Sequence, residues 1–300
     1  MERGKGSLLS PLAEKLVWAD RRIAARLSPT LDSLASELQA EIDRVLLSVP
    51  ALLRIHASHG FAIEALHNFL GRAGIDNELR YCGSSEAVAS LHMGSCEIAG
   101  FHVPLGEFEA TAVAHYGQWL KPGAQKIISV ATRRLGLMLA KGDPKKVYGI
   151  RDLARGDLRF INRQAGSGTR FLLDLLLHKE GIAPGQVHGY EQCELTHAAV
   201  AAYVASGMAD VGFGVETPAR HFNLDFVPIQ TERYFLLCDE RSLEAPSVQK
   251  MLAILQSAEF KAAVNRLPGY QATDTGTVAE LRDALPTLAG RSKKSARPRA

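Results

Sequence analysis

The stretch Ile161-Asn-Arg-Gln-Ala-Gly-Ser-Gly-Thr-Arg-Phe171 joins a short β-rich segment to a helical segment at residues 170–177 through a glycine-rich turn. The first N–H groups of a helix have no intrahelical partners, and they lie at the positive end of the helix dipole. Gly166 and Gly168 let the backbone approach a ligand closely, while Ser167 and Thr169 supply hydroxyl groups. The turn therefore predicts either an anion-binding site or an ordinary N-capped helix, and both interpretations stay open at this point.

Two better-known glycine-rich sites do not match this turn. The spacing Gly166-x-Gly168-x-x-Phe171 lacks the third glycine of a dinucleotide-binding fingerprint. No Lys-Ser or Lys-Thr pair follows, as it does in a phosphate-binding loop of nucleotide hydrolases. We therefore set nucleotide binding aside.

From Pro50 onward, short apolar segments alternate with helical segments. The predicted strands lie at residues 53–57, 79–82, 97–101, 127–131 and 135–139, and the alternation begins again at Leu158. A repeated strand-helix order is typical of a mainly parallel, doubly wound sheet with binding sites at the carboxyl ends of its strands. The sequence therefore predicts an α/β protein with two lobes.

Three further strand-to-helix turns carry hydroxyl or imidazole groups, at residues 58–59, 84–85 and 196–197. Each turn alone is typical of a helix N-cap. Together, on one sheet edge, the turns would form a cleft lined by neutral donors, which suits a small, fully ionised anion. The candidate ligand-binding residues are Ser58, His59, Ser84, Ser85, Arg163, Gly166, Ser167, Gly168, Thr169, Thr196 and His197.

Charged residues near these turns bear on the kind of anion. If Arg163 or Arg170 points into the cleft, it would bind a carboxylate through two hydrogen bonds, whereas hydroxyl groups alone favour a tetrahedral oxyanion. His197 is predicted either to donate to the anion or to cap its helix. Glu216 would oppose an anion at the cleft mouth, so we expect it to pair with an arginine.

Residues 11–47 have apolar side chains at helical steps of three and four, among many charged residues. Pro29 predicts either a kink in one helix or the start of a second helix capped by Ser28. An apolar stripe of this length must be covered by self-association or by packing on the following domain. We favour self-association, which predicts a dimer or a larger assembly.

Charge does not favour nucleic-acid binding by the folded part of the chain. The 35 Lys and Arg residues and 32 Asp and Glu residues leave a net charge of +3, and five of the basic residues lie in the last ten positions. We therefore expect residues 286–300 to form a disordered basic tail and the rest of the chain to be close to neutral.

The sequence predicts no membrane segment, metal, cofactor or catalytic residue. Its amino terminus lacks a signal-peptide pattern, so we expect a cytoplasmic protein. Four scattered cysteines form no C-x-x-C pair, and His56 and His59 straddle a strand end with their side chains on opposite faces. G-x-S-x-G and H-E-x-x-H motifs are both absent from the sequence, so we expect that the protein is not an enzyme.

Several of these segments resemble one known family. The matching segments are Phe160-Ile-Asn-Arg-Gln-Ala-Gly-Ser-Gly-Thr-Arg170, Gly181-Ile182, Gly189-Tyr190, Thr196-His-Ala-Ala-Val-Ala201 and Gly207-Met-Ala-Asp-Val-Gly-Phe-Gly214. They are similar to the molybdate-binding-protein-like domain, which has a type 2 periplasmic-binding fold. This domain is found as the sensor half of ModE-like, LysR-type transcriptional regulators, and the similarity covers about residues 51–285.

The resemblance implies a two-lobed effector-binding domain. Its first lobe would comprise about residues 51–132 and 234–285, its second lobe about residues 133–233, and the chain would cross twice between them. It also implies that the ligand is a small oxyanion such as molybdate or tungstate. A small carboxylate such as formate is the alternative, as is a stand-alone anion-binding protein without a role in transcription.

Residues 7–48 resemble the end of a winged DNA-binding domain and its linker helix, with Leu9-Ser-Pro-Leu-Ala-Glu-Lys15 matching the segment after the wing. Residues 1–50 are accordingly predicted to be a linker and dimerisation helix, giving a homodimer or homotetramer. The helix-turn-helix that precedes this segment in such regulators is not in the sequence. We therefore expect DNA contact only through such a domain and no sequence-specific DNA binding by these residues.

Overall fold

The computed structural model of the protein describes residues 9–46 and 52–288. The strands are β1 (Leu53–Ala57), β2 (Asn77–Tyr81), β3 (Ile98–Pro104), β4 (Gln125–Leu139), β5 (Phe160–Arg163), β6 (Cys193–Glu194), β7 (Val211–Val215), β8 (Asp225–Asp239), β9 (Tyr270–Gln271) and β10 (Val278–Glu280). The α-helices are α1 (Pro11–Leu46), α2 (Phe61–Arg72), α3 (Ser84–His92), α4 (Glu109–Tyr116), α5 (Gly168–Lys179), α6 (His197–Ala205), α7 (Glu216–His221), α8 (Pro246–Gln256), α9 (Ala258–Asn265) and α10 (Leu281–Ala284). The predicted α/β class is confirmed.

The strands form one mixed sheet in the order β2-β1-β3-β8-β4-β7-β5-β6, with β9 and β10 paired to β4. Neighbours are parallel at the two ends of the sheet, where β1 lies between β2 and β3, and β5 lies between β7 and β6. In the middle, β8 and β4 run antiparallel to their neighbours. The expectation of a mainly parallel sheet is therefore correct only for its two ends.

Residues 125–139 form one strand of 15 residues, so the prediction of two strands at 127–131 and 135–139 is wrong. Arg133 and Arg134 interrupt the apolar pattern there, which made one strand look like two. The ladder with β8 continues through them, because Arg133 lies opposite Glu232 and forms an ion pair with it.

The long strands β4 and β8 connect two lobes with separate apolar cores. We call the part built on β2, β1 and β3 the first lobe, whose core includes Ile55, Leu66 and Phe260. The part built on β7, β5 and β6 is the second lobe, with Leu173 and Phe213 in its core. The two-lobed fold is thus as expected, and the boundary residues given above for each lobe stay a prediction.

Helix α1 is continuous over 36 residues with Pro29 inside it, so Ser28 does not cap a second helix. A proline has no N–H to donate to the carbonyl oxygen four residues earlier, which here is that of Ala25. That oxygen instead accepts a hydrogen bond from the Thr196 hydroxyl of the second lobe, at 2.9 Å. The proline therefore frees a carbonyl group through which the helix binds the domain.

Two opposite faces of α1 have different environments. Ala25, Pro29 and Ser36 lie on the face that contacts the lobes. With about 3.6 residues per turn, the apolar residues fall on the other side of the helix. They form what we call the apolar stripe, and each is largely exposed: Leu12, Leu16, Ile23, Leu27, Leu31, Leu34, Leu38 and Ile42. Packing on the following domain thus leaves the stripe uncovered, and its self-association stays a prediction.

The carboxyl-terminal residues of the described chain lie against the first lobe. Pro286–Leu288 form a short 3-10 helix near α4 and α10. Residues 289–300, which make up the remainder of the predicted basic tail, lie outside the described residues. Within the two described segments, no helix has the length and apolar character needed to cross a membrane.

The crossing strands leave no space for a side chain at Gly136 of β4. An added Cβ would lie 2.0 Å from the carbonyl oxygen of Val227 on the adjacent strand. We expect Gly136→Ala to lower the free energy of unfolding by about 1–3 kcal/mol or more, because the backbone ladder between the lobes must shift. Urea unfolding measures this change.

Gly71→Ala is the matched control, because nothing lies within 4 Å of its added Cβ. Alanine is the better helix former, so this change should leave the protein as stable or stabilise it by up to about 1 kcal/mol. Equal unfolding midpoints for the two variants would contradict the role assigned to Gly136.

Candidate functional site

A cavity of about 640 Å³ lies between the two lobes, below helix α1. It is lined by all of the candidate residues taken from the sequence: Ser58, His59, Ser84, Ser85, Arg163, Gly166, Ser167, Gly168, Thr169, Thr196 and His197. They meet because β1, β2, β5 and β6 end at this cavity and each turn follows a strand end. The topology thus brings the four predicted turns together.

The N-cap interpretation is correct for two of these turns. Ser167 Oγ accepts a hydrogen bond from the Arg170 N–H at 3.1 Å, and Thr196 Oγ1 accepts one from the Ala199 N–H at 3.0 Å. Capping occupies a lone pair of Ser167 and leaves its O–H proton available to a ligand. The Thr196 hydroxyl already makes two hydrogen bonds, because it also donates its proton to the Ala25 carbonyl. Ser167 is therefore the better ligand donor of the two.

Four buried side-chain atoms of residues that line the cavity have no hydrogen-bond partner within the described chain. They are Ser84 Oγ, His59 Nδ1, His102 Nε2 and Arg133 Nη1. Buried polar groups are nearly always hydrogen-bonded, because leaving one unpaired costs free energy. Unpaired polar groups around a cavity indicate that a bound ligand forms the missing hydrogen bonds.

Arg163 carries the charge that most distinguishes the site. It is buried at the end of β5, where its Nε donates to Gln164 Oε1 at 3.1 Å and its Nη2 to the Leu195 carbonyl at 2.9 Å. No carboxylate of the described residues balances it. Burial and the neighbouring Arg133 lower the pKa of Arg163 to about 9, so the folded protein disfavours this cation. An anion in the cavity would remove that penalty.

Arg133 lines the same cavity but already has a counter-ion. Its Nε and Nη2 lie 2.6 Å and 2.5 Å from Glu232 Oε1, and both side chains are buried. Burial raises the pKa of Glu232 while Arg133 acts to lower it. This pair is close to neutral as a unit, which leaves the charge of Arg163 uncompensated.

Three neutral histidines surround this charge. Burial and nearby arginines lower the pKa of His59 to about 3, and those of His102 and His197 well below 6.5. His197 Nδ1 accepts the Val215 N–H at 3.4 Å, so its proton is on Nε2, which lies 3.5 Å from Thr169 Oγ1. His197 therefore does not cap its own helix, which Thr196 caps. It accepts a hydrogen bond from the backbone of β7 and presents an N–H toward the cavity.

Other sequence candidates lie elsewhere. Arg170 packs over the Tyr190 ring at 3.7 Å and lies 3.5 Å from Asp174, so it supports the fold and does not enter the cavity. Glu216 pairs with Arg134 and Arg220, which confirms the expected pairing. No cluster of three or more metal-ligating side chains occurs among the residues that the structure describes.

Arg133, His102 and part of α1 also line the cavity, although no local sequence motif singles them out as site residues. The α1 residues are Arg26, Pro29, Thr30, Ser33, Leu34 and Glu37. Two adjacent arginines, Arg133 and Arg134, interrupt an otherwise apolar strand. This interruption is the one sequence feature that points to a special role for Arg133. The position of α1 over the cavity depends on contacts with segments distant in sequence, and its own periodicity does not reveal them.

The two lobes lie close together at the cavity. An added Cβ on Gly83 would lie 3.4 Å from the Gly166 carbonyl oxygen, and one on Gly168 would lie 3.7 Å from Ser84 Oγ. Gly83 and Ser84 belong to the first lobe, and Gly166 and Gly168 to the second. We call this arrangement, with the two lobes close together at the cavity, closed.

Comparison with known proteins identifies the family. A model described as the PBP superfamily domain matches residues 68–256. The uncharacterized protein YvgK of Bacillus subtilis (strain 168) is 34% identical over 226 residues, which is 72% of this chain and 70% of YvgK. An uncharacterized protein from the 5′ region of the ferredoxin 2Fe-2S gene of Clostridium pasteurianum is 35% identical over 108 residues, covering 36% of this chain and 96% of that protein. The chain belongs to the PBP superfamily.

Solved structures share its fold at low sequence identity. A phosphate ABC transporter substrate-binding protein from Clostridium perfringens, with bound phosphate, has a TM-score of 0.53 at 16% identity and covers 74% of this chain and 99% of its own. An ABC-type phosphate transport receptor from Vibrio cholerae has a TM-score of 0.51 at 15% identity, covering 74% and 99%. The regulatory domain of MetR, a LysR family regulator from N. meningitidis, has a TM-score of 0.50 at 15% identity, covering 77% and 100%. The likeness confirms the periplasmic-binding fold.

The neutral histidines make stability depend on pH. An unfolded histidine titrates near 6.5, and folded His59 only near 3, so the unfolded chain takes up the proton first as the pH falls. Stability is therefore lost as the pH falls below 6.5. Between pH 6.5 and 5 we expect the wild-type protein to lose about 1.5 kcal/mol more than His59→Gln does.

Urea unfolding at several pH values gives these differences. His178→Gln is the control, because His178 is exposed on α5 and should leave the wild-type slope unchanged. Parallel pH curves for the wild-type protein and His59→Gln would show that His59 is not held neutral by the fold.

Proposed function

We propose that this chain is the effector-binding part of a LysR- or ModE-like transcriptional regulator and that its cleft binds a small oxyanion. The buried, uncompensated Arg163 at the end of β5 is the observation that carries this proposal. Neutral hydrogen-bond donors lie around it, namely the hydroxyls of Ser84 and Ser167 and the N–H of His197. They can bind an anion without gaining or losing a proton. The phosphate bound by the Clostridium perfringens protein and the regulatory role of the MetR domain are consistent with both parts of the proposal.

Molybdate or tungstate is the first candidate ligand. Both are fully ionised near neutral pH, so they need donors only. The cavity's carboxylates are Glu37 and Glu86, and Glu86 pairs with Arg80. Glu232 has its carboxylate directed to Arg133, so it offers little acceptor capacity to a protonated anion such as hydrogen phosphate. We therefore expect aprotic oxyanions to bind more tightly than phosphate.

A small carboxylate such as formate is the second candidate. The planar guanidinium of Arg163 favours it, because arginine binds carboxylates through two parallel hydrogen bonds. A stand-alone anion-binding protein with no role in transcription would use the same cleft.

We also propose that the protein is not an enzyme. Ser58 Oγ lies 2.9 Å from His102 Nδ1, which resembles a nucleophile and its base. In a catalytic triad a carboxylate would accept a hydrogen bond from the other nitrogen of this histidine. Here that hydrogen bond does not form, because His102 Nε2 lies 3.9 Å from Glu232 Oε1. Arg133 holds that carboxylate instead, and His102 stacks on Tyr234 with ring centroids 4.2 Å apart. These contacts support a binding role for Ser58 and His102.

The remaining parts of the proposal concern location and partners. We propose a cytoplasmic protein that assembles as a homodimer or homotetramer through the apolar stripe of α1. DNA would be contacted only by a separate helix-turn-helix domain.

Arg163→Met tests the ligand site. In anion-free buffer we expect its free energy of unfolding to equal or exceed that of the wild-type protein, because an unbalanced buried charge is removed. Calorimetric titration with molybdate, tungstate, sulfate, phosphate and formate should give heat with at least one anion for the wild-type protein. Arg163→Met should bind that anion at least about 100-fold more weakly, because the variant loses one or more hydrogen bonds between the guanidinium and the anion.

Two further variants complete this experiment. Ser84→Ala should weaken binding by about 1.5–3 kcal/mol without lowering stability, since no described residue is a hydrogen-bond partner of its hydroxyl. Arg170→Met is the matched control, expected to lose stability and keep full affinity, because Arg170 lies outside the cavity. Folded wild-type protein that binds none of the five anions would overturn the proposal.

The apolar stripe gives a separate prediction on assembly. Leu31→Glu combined with Leu38→Glu should convert the protein to a monomer, because charges on a paired helix face are costly to bury. Light scattering measures the mass. Met93→Glu, an exposed apolar residue outside the stripe, is the control and should leave the mass unchanged. If the double variant has the same mass as the wild-type protein, the chains do not assemble through the apolar stripe.

A further inference from the structure

We propose that helix α1 is a strap across the mouth of the cleft, so that α1 is fully seated only when the lobes are closed. The inference rests on the proposed function only in that the bound anion is what closes the lobes. Its geometric basis is that α1 contacts each lobe separately, on either side of the cavity opening.

The contact with the first lobe is made by two serine hydroxyls. Ser36 Oγ accepts a hydrogen bond from the Leu79 N–H at 2.8 Å, and Ser33 Oγ accepts one from the Tyr81 N–H at 3.0 Å. Both N–H groups belong to β2, the strand at one end of the sheet, so no strand of the described residues pairs with its outer edge. The serines satisfy N–H groups that would otherwise be left at a sheet edge.

The contact with the second lobe is made by the preceding turns of α1. The Ala25 carbonyl freed by Pro29 accepts the Thr196 hydroxyl at 2.9 Å, and Arg26 Nε lies 2.9 Å from Glu194 Oε2. Glu194 is buried, so losing Arg26 would leave a carboxylate without its counter-ion. Trp18 also packs on Phe222, with ring centroids 5.9 Å apart.

The cavity opening lies between these two contacts. Thr30 lies between the contact residues Arg26 and Ser33 along the helix and lines the cavity from above. Because α1 is bonded to both lobes, separating the lobes must detach α1 from one of them. The ion pair with buried Glu194 is the more costly one to break, so α1 leaves β2 and stays with the second lobe.

This coupling gives α1 a role in signalling. Opening the lobes would uncover the N–H groups of Leu79 and Tyr81 and turn the exposed apolar stripe relative to the first lobe. Closing them reverses both changes. Ligand occupancy would thereby set the position of the surface through which we propose that two chains assemble.

A ligand-free experiment tests the strap first. Ser84→Cys with Gly168→Cys joins the lobes by a disulfide, for which the 3.7 Å between Ser84 Oγ and an added Cβ on Gly168 is suitable. Cys82 and Cys193 are replaced by alanine and serine to avoid mispairing. We expect amide hydrogen exchange at Leu79 and Tyr81 to be about tenfold slower in the oxidised form than in the reduced form, a change worth about one hydrogen bond. Equal exchange in the two forms would overturn the strap.

A second variant keeps the test independent of disulfide formation. Ser33→Ala with Ser36→Ala should speed exchange at the amides of Leu79 and Tyr81 by about tenfold or more, and should raise the dissociation rate of molybdate, the probe anion. Ser28→Ala is the control, because Ser28 is exposed on the same helix and its hydroxyl donates to Asp32 of that helix rather than to β2. Unchanged exchange in the double variant would also overturn the strap.

The two proposals fail in different ways. If molybdate or another anion binds and exchange at Leu79 and Tyr81 does not slow, the strap is wrong and the binding function stands. If no anion binds and the disulfide still protects these amides, the strap stands and the proposed ligand class fails.

Discussion

The buried charge of Arg163 is the constraint on which the rest of the site depends. A guanidinium that is out of water and without a carboxylate destabilises the folded chain, and its lowered pKa expresses that cost. Natural proteins keep such groups where a ligand supplies the missing charge. The neutral histidines and the free hydroxyls around Arg163 then make sense as donors that add hydrogen bonds without adding a competing base.

The fold places the Arg163 charge between two lobes that can move relative to each other. Arg163 belongs to the second lobe and Ser84 to the first, so an anion between them would hold the lobes together. The crossing strands β4 and β8 connect the lobes, and Arg133 with Glu232 joins those strands inside the cavity wall. Helix α1 extends over the opening and contacts both lobes. Binding, closure and the position of α1 are therefore consequences of the same geometry.

Much of the fold and part of the site could be predicted from the sequence, because turn chemistry is local. Ser58, Ser84, Ser167 and Thr169 each follow a strand within a few residues, and the alternation of strands and helices places their turns at one edge. Arg133 could not be found in this way. Its partner Glu232 is 99 residues away, and only the pairing of β4 with β8 brings the two together.

The same limit applies to α1. Its apolar stripe was visible in the sequence, but the stripe faces away from the domain, and the residues that bind the lobes are serines, an arginine and a proline-freed carbonyl. None of these has a periodic signature. Pro29 is also typical of a helix start, although its effect here is to leave the Ala25 carbonyl free for Thr196.

The most direct test of the central claim is the position of a bound anion. Crystals grown with tungstate, which scatters X-rays anomalously, would show the ion as a peak in the anomalous difference map. We expect a peak between the lobes within about 3–4 Å of both the Arg163 guanidinium and Ser84 Oγ, the range of charged hydrogen bonds around a metal-centred oxyanion. Tungstate bound only at other surfaces, with the cleft free of it, would show that Arg163 and Ser84 do not form the anion site.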